Sequence, residues 1–234
     1  MVWAMSNEIP VIAIDGPTGA GKGTVSRALA KMLDWHFLDS GALYRLVALR
    51  AMQEGADLED PRVLAKVASR LNVEFSTARE VEVVCLNGEN VTALLRTEEC
   101  GSVASKIAPM SMVRAALLEQ QRGFAIPPGL VADGRDMSTV VFPAAILKVF
   151  LTASAKVRAK RRYNQLKEKG IDVSLRGLSR EIAQRDERDA NRQIAPLKPA
   201  GDARVLDSTQ LNPDEVIERI HGWLKDLGLQ VGMN

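Results

Sequence analysis

One run of residues, Gly16-Pro17-Thr18-Gly19-Ala20-Gly21-Lys22-Gly23-Thr24, has the composition of a loop that wraps an anion. Glycines let the backbone curl until successive N–H groups point inward, and a lysine at the end of such a loop reaches the outer phosphates of a nucleoside triphosphate. A helix start behind the loop adds positive potential. The strict pattern places Ser or Thr directly after the lysine; here Gly23 intervenes and Thr24 carries the hydroxyl that could meet a metal ion. Such a loop does not decide whether the terminal phosphate goes to water or to another molecule, because hydrolases, motors and kinases share it.

Other residues supply groups for a second, smaller anion. Asp39-Ser40-Gly41 followed by Tyr44-Arg45 sets a helix start and an arginine after a short strand, an arrangement that suits a monophosphate or serves as an ordinary helix cap beside a solvated arginine. Asp133-Gly134-Arg135-Asp136 follows a later strand, where Asp133 could hold a magnesium-bound water; the alternative is a plain surface turn, since Asp-Gly is a common turn pair. From Lys156 to Arg192 there are 12 Lys or Arg against 6 Asp or Glu. At about 100° per residue, Arg158, Arg161, Arg162 and Gln165 share one narrow helical stripe, and Arg185, Arg188, Asp189 and Arg192 share another, with Asp186 and Glu187 pointing elsewhere. Two such stripes can converge on a polyphosphate, which the planar arginine fork grips bidentately. Two solvated faces, or a nucleic-acid patch, are the alternatives.

The elements that must carry these groups are legible from periodicity. Ile9 to Ile14 is a continuous β-branched run of the kind buried in a parallel sheet, and helical spacing begins at Thr24. A second strand covers Trp35 to Leu38 and a helix runs to Gln53; Pro61 opens another helix, to about Leu71. Val73, Phe75, Val81, Val83 and Cys85 then alternate, broken by Asn87-Gly88, which predicts a hairpin and a small β-rich insert over residues 70–97. Further helices are expected at Glu98 to Ala108, Ser111 to Gly123, Ala155 to Lys169, Ser174 to Arg192 and Pro213 to Leu227, and strands at Leu130 to Ala132, Ile146 to Leu151 and Ala203 to Leu206. Strands alternating with helices predict a doubly wound parallel α/β sheet.

The chain has 234 residues, 46% of them apolar and 26% charged, which excludes a disordered chain, a collagen-like repeat and a disulfide scaffold. The net charge of +2 does not mark a general binder of nucleic acid or of membrane surfaces. Two unclustered cysteines, Cys85 and Cys100, suggest a reduced, cytoplasmic setting and buried or incidental thiols, and His36 and His221 have no zinc spacing. Met1 to Pro10 lacks the build of a secretory signal and is expected to add nothing to the chemistry.

Taken in order, GPTGAGKGT, DSGALYR, DGRDM and RDERDANR resemble the bacterial cytidylate (CMP) kinase family over essentially the whole chain. The intervening Gly23 is the form seen in nucleoside monophosphate kinases. The resemblance implies a P-loop kinase core at residues 1–69 and 98–234, a monophosphate-binding insert at 70–97 and a helical lid at about 154–172. It implies ATP binding by Gly16 to Thr24, and CMP binding by Asp39, Ser40, Tyr44, Arg45, Ser105, Arg114, Arg135, Asp136, Arg185, Asp189 and Arg192. Within that set Ser105, Arg114 and Asp136 would read the cytosine edge. Lys22, Arg135, Arg158, Arg162 and Arg192 would be the catalytic cations, and Thr24 and Asp133, through water, would meet Mg²⁺. The implied activity is phosphoryl transfer from ATP to CMP or dCMP by a cytoplasmic monomer that engages neither nucleic acid nor membrane. A kinase of UMP, dTMP or another small acceptor, and an ATP-switched RNA-binding regulator, are the rival readings.

Overall fold

A computed structural model describes residues 9–76, 83–168 and 170–229. Residues 1–8 of the amino-terminal stretch, Val81 of the alternating segment and Lys169 at the expected end of a helix lie outside the described residues. In chain order the elements are β1 (Val11–Asp15), α1 (Lys22–Leu33), β2 (His36–Asp39), α2 (Ser40–Gln53), α3 (Pro61–Ala68), β3 (Val73–Ser76), β4 (Val83–Leu86) and β5 (Glu89–Asn90). There follow α4 (Thr92–Leu95), α5 (Glu98–Ile107), α6 (Ser111–Arg122), β6 (Leu130–Gly134), a π-helical turn (Met137–Val141), β7 (Leu147–Thr152), α7 (Ala155–Glu168), α8 (Leu175–Asn191), β8 (Arg204–Asp207) and α9 (Pro213–Asp226).

The chain divides into two compact units, one formed by the residues up to Leu38 and from Gly123 onward, the other by Asp39–Arg122. The first is built on a five-stranded sheet in the order β2-β6-β1-β7-β8, with β1 parallel to both β6 and β7, and β7 parallel to β8. The order turns about β1, so right-handed crossovers send the helices to opposite faces, and the expected doubly wound α/β sheet is what forms. Every residue of β1 and β6 is buried, which explains why both read as unbroken apolar runs and not as alternations. Ile12, Ile14, Leu29, Val149, Leu151, Ile220 and Leu224 fill one core, each worth about 1.5–3 kcal/mol when taken from water.

In the second unit α2 buries Leu43, Leu46 and Val47. A three-stranded antiparallel sheet, β3-β4-β5, lies in the stretch whose alternation predicted strands, and Asn87-Gly88 makes its tight turn with positive φ at both residues. Three local details depart from the pattern. Ser69 Oγ donates to the Lys66 carbonyl where α3 ends, short of the expected Leu71. Asn90 Oδ1 accepts from the backbone and hydroxyl of Thr92, which starts the one-turn α4 inside a stretch expected to be β-rich. The π-helical turn has no local sequence signal; the buried Asp15 carboxylate accepts from the Met137 and Ser138 amides at 2.8 Å and from the Ser138 hydroxyl, and so fixes it from 122 residues away. Among the described residues no helix is long and apolar enough to cross a membrane.

Candidate active site

In the first unit the glycine loop lies between β1 and α1, at the carboxyl end of the parallel strands, where open sheets of this kind bind ligands. Left-handed Gly21 is the N-cap of α1, so the helix starts at Lys22, two residues before the expected Thr24, and no side chain occupies the first amides. With glycine at the cap, no N-cap side chain competes with an anion there, as the loop reading requires. Lys22 Nζ donates to the Pro17 carbonyl at 3.1 Å and lies 3.8 Å from Asp133 Oδ1. Both residues are buried, so the cation is held under the loop and not out in solvent. Burial of Asp133 and Asp136, at 8% and 4% exposure, rules out the plain surface turn for that segment.

A cavity of about 650 Å³ opens over the loop, lined by Gly19, Ala20, Gly21, Thr24, Arg161 and Arg162 on one side and by Ser208, Asn212 and Pro213 of the β8–α9 connection on the other. That volume falls in the roughly 300–1,000 Å³ range of small-molecule sites. Arg161 donates from Nη1 to the Ala20 carbonyl at 3.2 Å and to Ser208 Oγ at 3.1 Å, and from Nη2 to the Ser208 carbonyl at 2.7 Å. Burial pushes its guanidinium down from the ordinary value, with Asp207 opposing. Buried Ser208 Oγ, with one proton to donate, lies 3.2 Å from the Ala20 carbonyl and 3.0 Å from the Thr152 carbonyl. The sequence does not point to Asp15 or Ser208. Arg161 belongs to the helical stripe expected at a polyphosphate, whereas Ser208 has no local signal because its partners are remote in sequence.

The carboxy-terminal helices bring the second arginine stripe together. Asp189 accepts from Arg135 Nε at 2.9 Å and pairs with Arg192 Nη2 at 3.3 Å. Burial would raise the Asp189 carboxyl, yet Arg135, Arg192 and Arg185 together hold it below the usual carboxylate range. Arg185 and Arg192 are half-buried and Arg188 is exposed, so the expected stripe contributes only part of its cations to this cluster. Arg158, expected among the catalytic cations, has these partners within the protein. Its Nε donates to the Ala153 carbonyl at 2.8 Å, its Nη1 to the Thr18 carbonyl at 3.1 Å and to Asp186 Oδ1 at 3.0 Å, and its Nη2 to Asp186 Oδ2. Only 5% exposed, this guanidinium has protein partners in nearly every direction. Asp186, read as facing away, is thus the partner of the other stripe.

In the second unit Asp39 caps α2 by accepting from the Ala42 amide at 3.2 Å. Buried Ser40 and Tyr44 follow on that helix, and Arg45 donates to the Leu95 carbonyl. Arg114 lies 6.0 Å from the Tyr44 ring centroid, a cation–π spacing, and donates to the Ala108 carbonyl at 3.3 Å. Ser105 is half-buried on α5.

A divalent cation fits what the first unit presents. Thr24 offers an exposed hydroxyl in the first turn of α1 and Asp133 a carboxylate near Lys22, an oxygen set too small to cage a metal alone. Mg²⁺ is bound in that manner, through one or two protein oxygens with substrate phosphates and waters completing its shell. Among the described residues no cluster of three His, Cys, Asp or Glu exists to hold a metal without substrate.

Known proteins similar to this chain are the following. A family model described as cytidylate kinase matches residues 12–226. A cytidylate kinase of Methylococcus capsulatus is 58% identical over 92% of this chain and 96% of its own length. One of Stutzerimonas stutzeri is 54% identical over 96% of this chain and 99% of its own. A solved gluconokinase from Sinorhizobium meliloti aligns over 95% of both chains with 17% identity and a TM-score of 0.48.

Proposed function

The chain belongs to the cytidylate kinase family, and from that premise we propose that it transfers the γ-phosphoryl group of MgATP to the phosphate of CMP or dCMP, yielding ADP and CDP or dCDP. The observation that carries this reading is the near-complete coverage of relatives bearing that name. A phosphate oxygen of CMP attacks the γ-phosphorus while the bond from that phosphorus to the β–γ bridging oxygen breaks, and ADP leaves with the electron pair. The attacking oxygen is already ionised at neutral pH, so no general base is needed. The protein's task is positioning and neutralising charge spread over the transferred oxygens.

We assign the ATP phosphates to the loop Gly16 to Thr24, with Lys22 as its main charge. The left-handed Gly21 cap at the start of α1 and the cavity lined by Gly19, Ala20, Gly21 and Thr24 support this assignment. Lys22, Arg135, Arg162 and Arg192 are the cations assigned to the transferred group, while Arg158, whose N–H groups already have partners, is assigned to holding the loop. CMP is assigned to Asp39, Ser40, Tyr44, Arg45, Ser105 and Arg114, and to Arg135, Asp136, Arg185, Asp189 and Arg192. Thr24, and Asp133 through water, would hold Mg²⁺, which when bound shields the negative charge of the β- and γ-phosphates. Residues 70–97 are assigned to the monophosphate-binding insert and 154–172 to a lid that excludes water from the transfer. A cytoplasmic monomer that binds neither nucleic acid nor membrane completes the proposal.

The test is ADP formation from MgATP with CMP, dCMP, UMP, dTMP and no acceptor offered separately. Turnover with the two cytidine nucleotides alone supports the proposal. Equal turnover without acceptor, or preference for UMP or dTMP, refutes it.

A further inference from the structure

α8 carries two of the groups assigned above to CMP, Arg185 and Asp189, and its C-cap is a third, Arg192. One side chain ties this helix to the glycine loop: Arg158, from α7, donates bidentately to Asp186 on α8 and, through Nη1, to the carbonyl of Thr18 in the loop. Its Nε is tied to the Ala153 carbonyl, so the fork cannot swing. Gly19 makes the approach possible, because a Cβ there would stand 3.1 Å from the Arg158 Cβ. A planar fork held at three points transmits its orientation to both partners, which a flexible ammonium would not.

We propose that Asp186 is a positioning residue for the acceptor: acting through Arg158, it sets α8 relative to the ATP loop and so aims the CMP-binding groups. This rests on the kinase reading above. The two halves of the clamp make separable predictions. Without the Asp186 carboxylate, Arg158 keeps its bonds to Thr18 and Ala153, so the loop stays in place, while α8 loses its tie to the loop and keeps only its other anchors, the Asp189–Arg135 pair among them. Without the arginine fork, both ties are lost.

The experiment is steady-state ADP formation by Asp186→Asn, Arg158→Lys and Glu187→Gln, varying CMP at saturating MgATP and MgATP at saturating CMP. Glu187 is exposed on the same helix and removes the same charge without touching the clamp. In Asp186→Asn, KM for CMP rises about tenfold, the scale of one charge-assisted contact, while KM for ATP stays within about twofold. Arg158→Lys raises both KM values, and Glu187→Gln changes neither. A merely structural role would lose folded enzyme and lower kcat at constant KM, so that outcome overturns the proposal. An equal rise in both KM values for Asp186→Asn, or no rise in either, overturns it as well. Failure of the unaltered protein to form ADP with CMP is a separate result and refutes the kinase reading itself.

Discussion

Replacing Gly16 by alanine tests the seating of the phosphate loop on the sheet. Gly16 has φ +151°, which side-chain-bearing residues rarely adopt, and a Cβ there would stand 1.9 Å from the Leu151 carbonyl oxygen and 3.0 Å from its carbon. Leu151 lies on β7, where it is paired to Leu206 of β8 and fully buried, so the backbone it would strike cannot retreat without disturbing the sheet. The strained backbone costs about 1–3 kcal/mol, and forcing a carbon into a packed site about 1–3 kcal/mol more. The midpoint of that sum, about 4 kcal/mol, is a large share of the roughly 5–15 kcal/mol that holds a domain folded. At about 2–4 °C per kcal/mol for a chain of this size, the thermal midpoint falls by roughly 12 °C. Gly88→Ala is the comparison, since Gly88 has φ +83° but nothing within 4 Å of its added carbon. Only the left-handed backbone term applies there, about 1–2 kcal/mol, so its midpoint falls by a few degrees. Circular-dichroism melts of both variants, with ADP formation measured below each midpoint, separate the two terms. Equal midpoints for Gly16→Ala and Gly88→Ala, or normal turnover in Gly16→Ala, would refute the reasoning from the Leu151 contact.

Three further outcomes are expected. Lys22→Met keeps the length of the side chain but removes its charge, and should lower kcat by about 10²–10³, the usual loss for one preorganised donor; ADP formation at saturating substrates measures it. Asp189 ionises below the usual carboxylate range in the folded chain, so its contribution to stability is full above the unfolded value near pH 3.9 and is lost as pH falls through the lower folded value. Urea unfolding should therefore show the advantage of the unaltered protein over Asp189→Asn constant from pH 7 to about 4 and shrinking below it; a gap that stays constant to pH 2.5 contradicts this. Burial raises the Cys100 thiol, which donates to the Arg45 carbonyl at 3.3 Å, so iodoacetamide at neutral pH should label half-buried Cys85 first and Cys100 only on unfolding, as read by peptide mass spectrometry.

The sequence made the first unit's architecture legible wherever one local feature dominates. Continuous apolar runs marked β1 and β6 because both strands are buried on each face. Asn87-Gly88 marked a turn because few other residue pairs take two positive φ angles, and Asp39 marked a cap because its carboxylate reaches an amide of the same first turn. The site was legible where chemistry is written in consecutive residues, as in the glycine loop. It was not legible where the partner is remote. Angular position on α8 set Asp186 off the arginine stripe, and only the packing of α7 against α8 turns that face toward Arg158. Asp15 follows directly on the strand read as Ile9 to Ile14, and nothing near it reveals that its carboxylate organises the turn at Met137–Val141. Ser208 is silent for the same reason, being defined by carbonyls at Ala20 and Thr152.

The central claim is that the terminal phosphate of ATP is handed to CMP, and tracing that phosphorus tests it most directly. The protein is incubated with ATP labelled at the γ-phosphorus, magnesium and CMP, and the products are separated. Label is expected at the β-phosphate of CDP in amounts equal to the ADP formed. Label recovered as inorganic phosphate, with CMP unchanged, would contradict it.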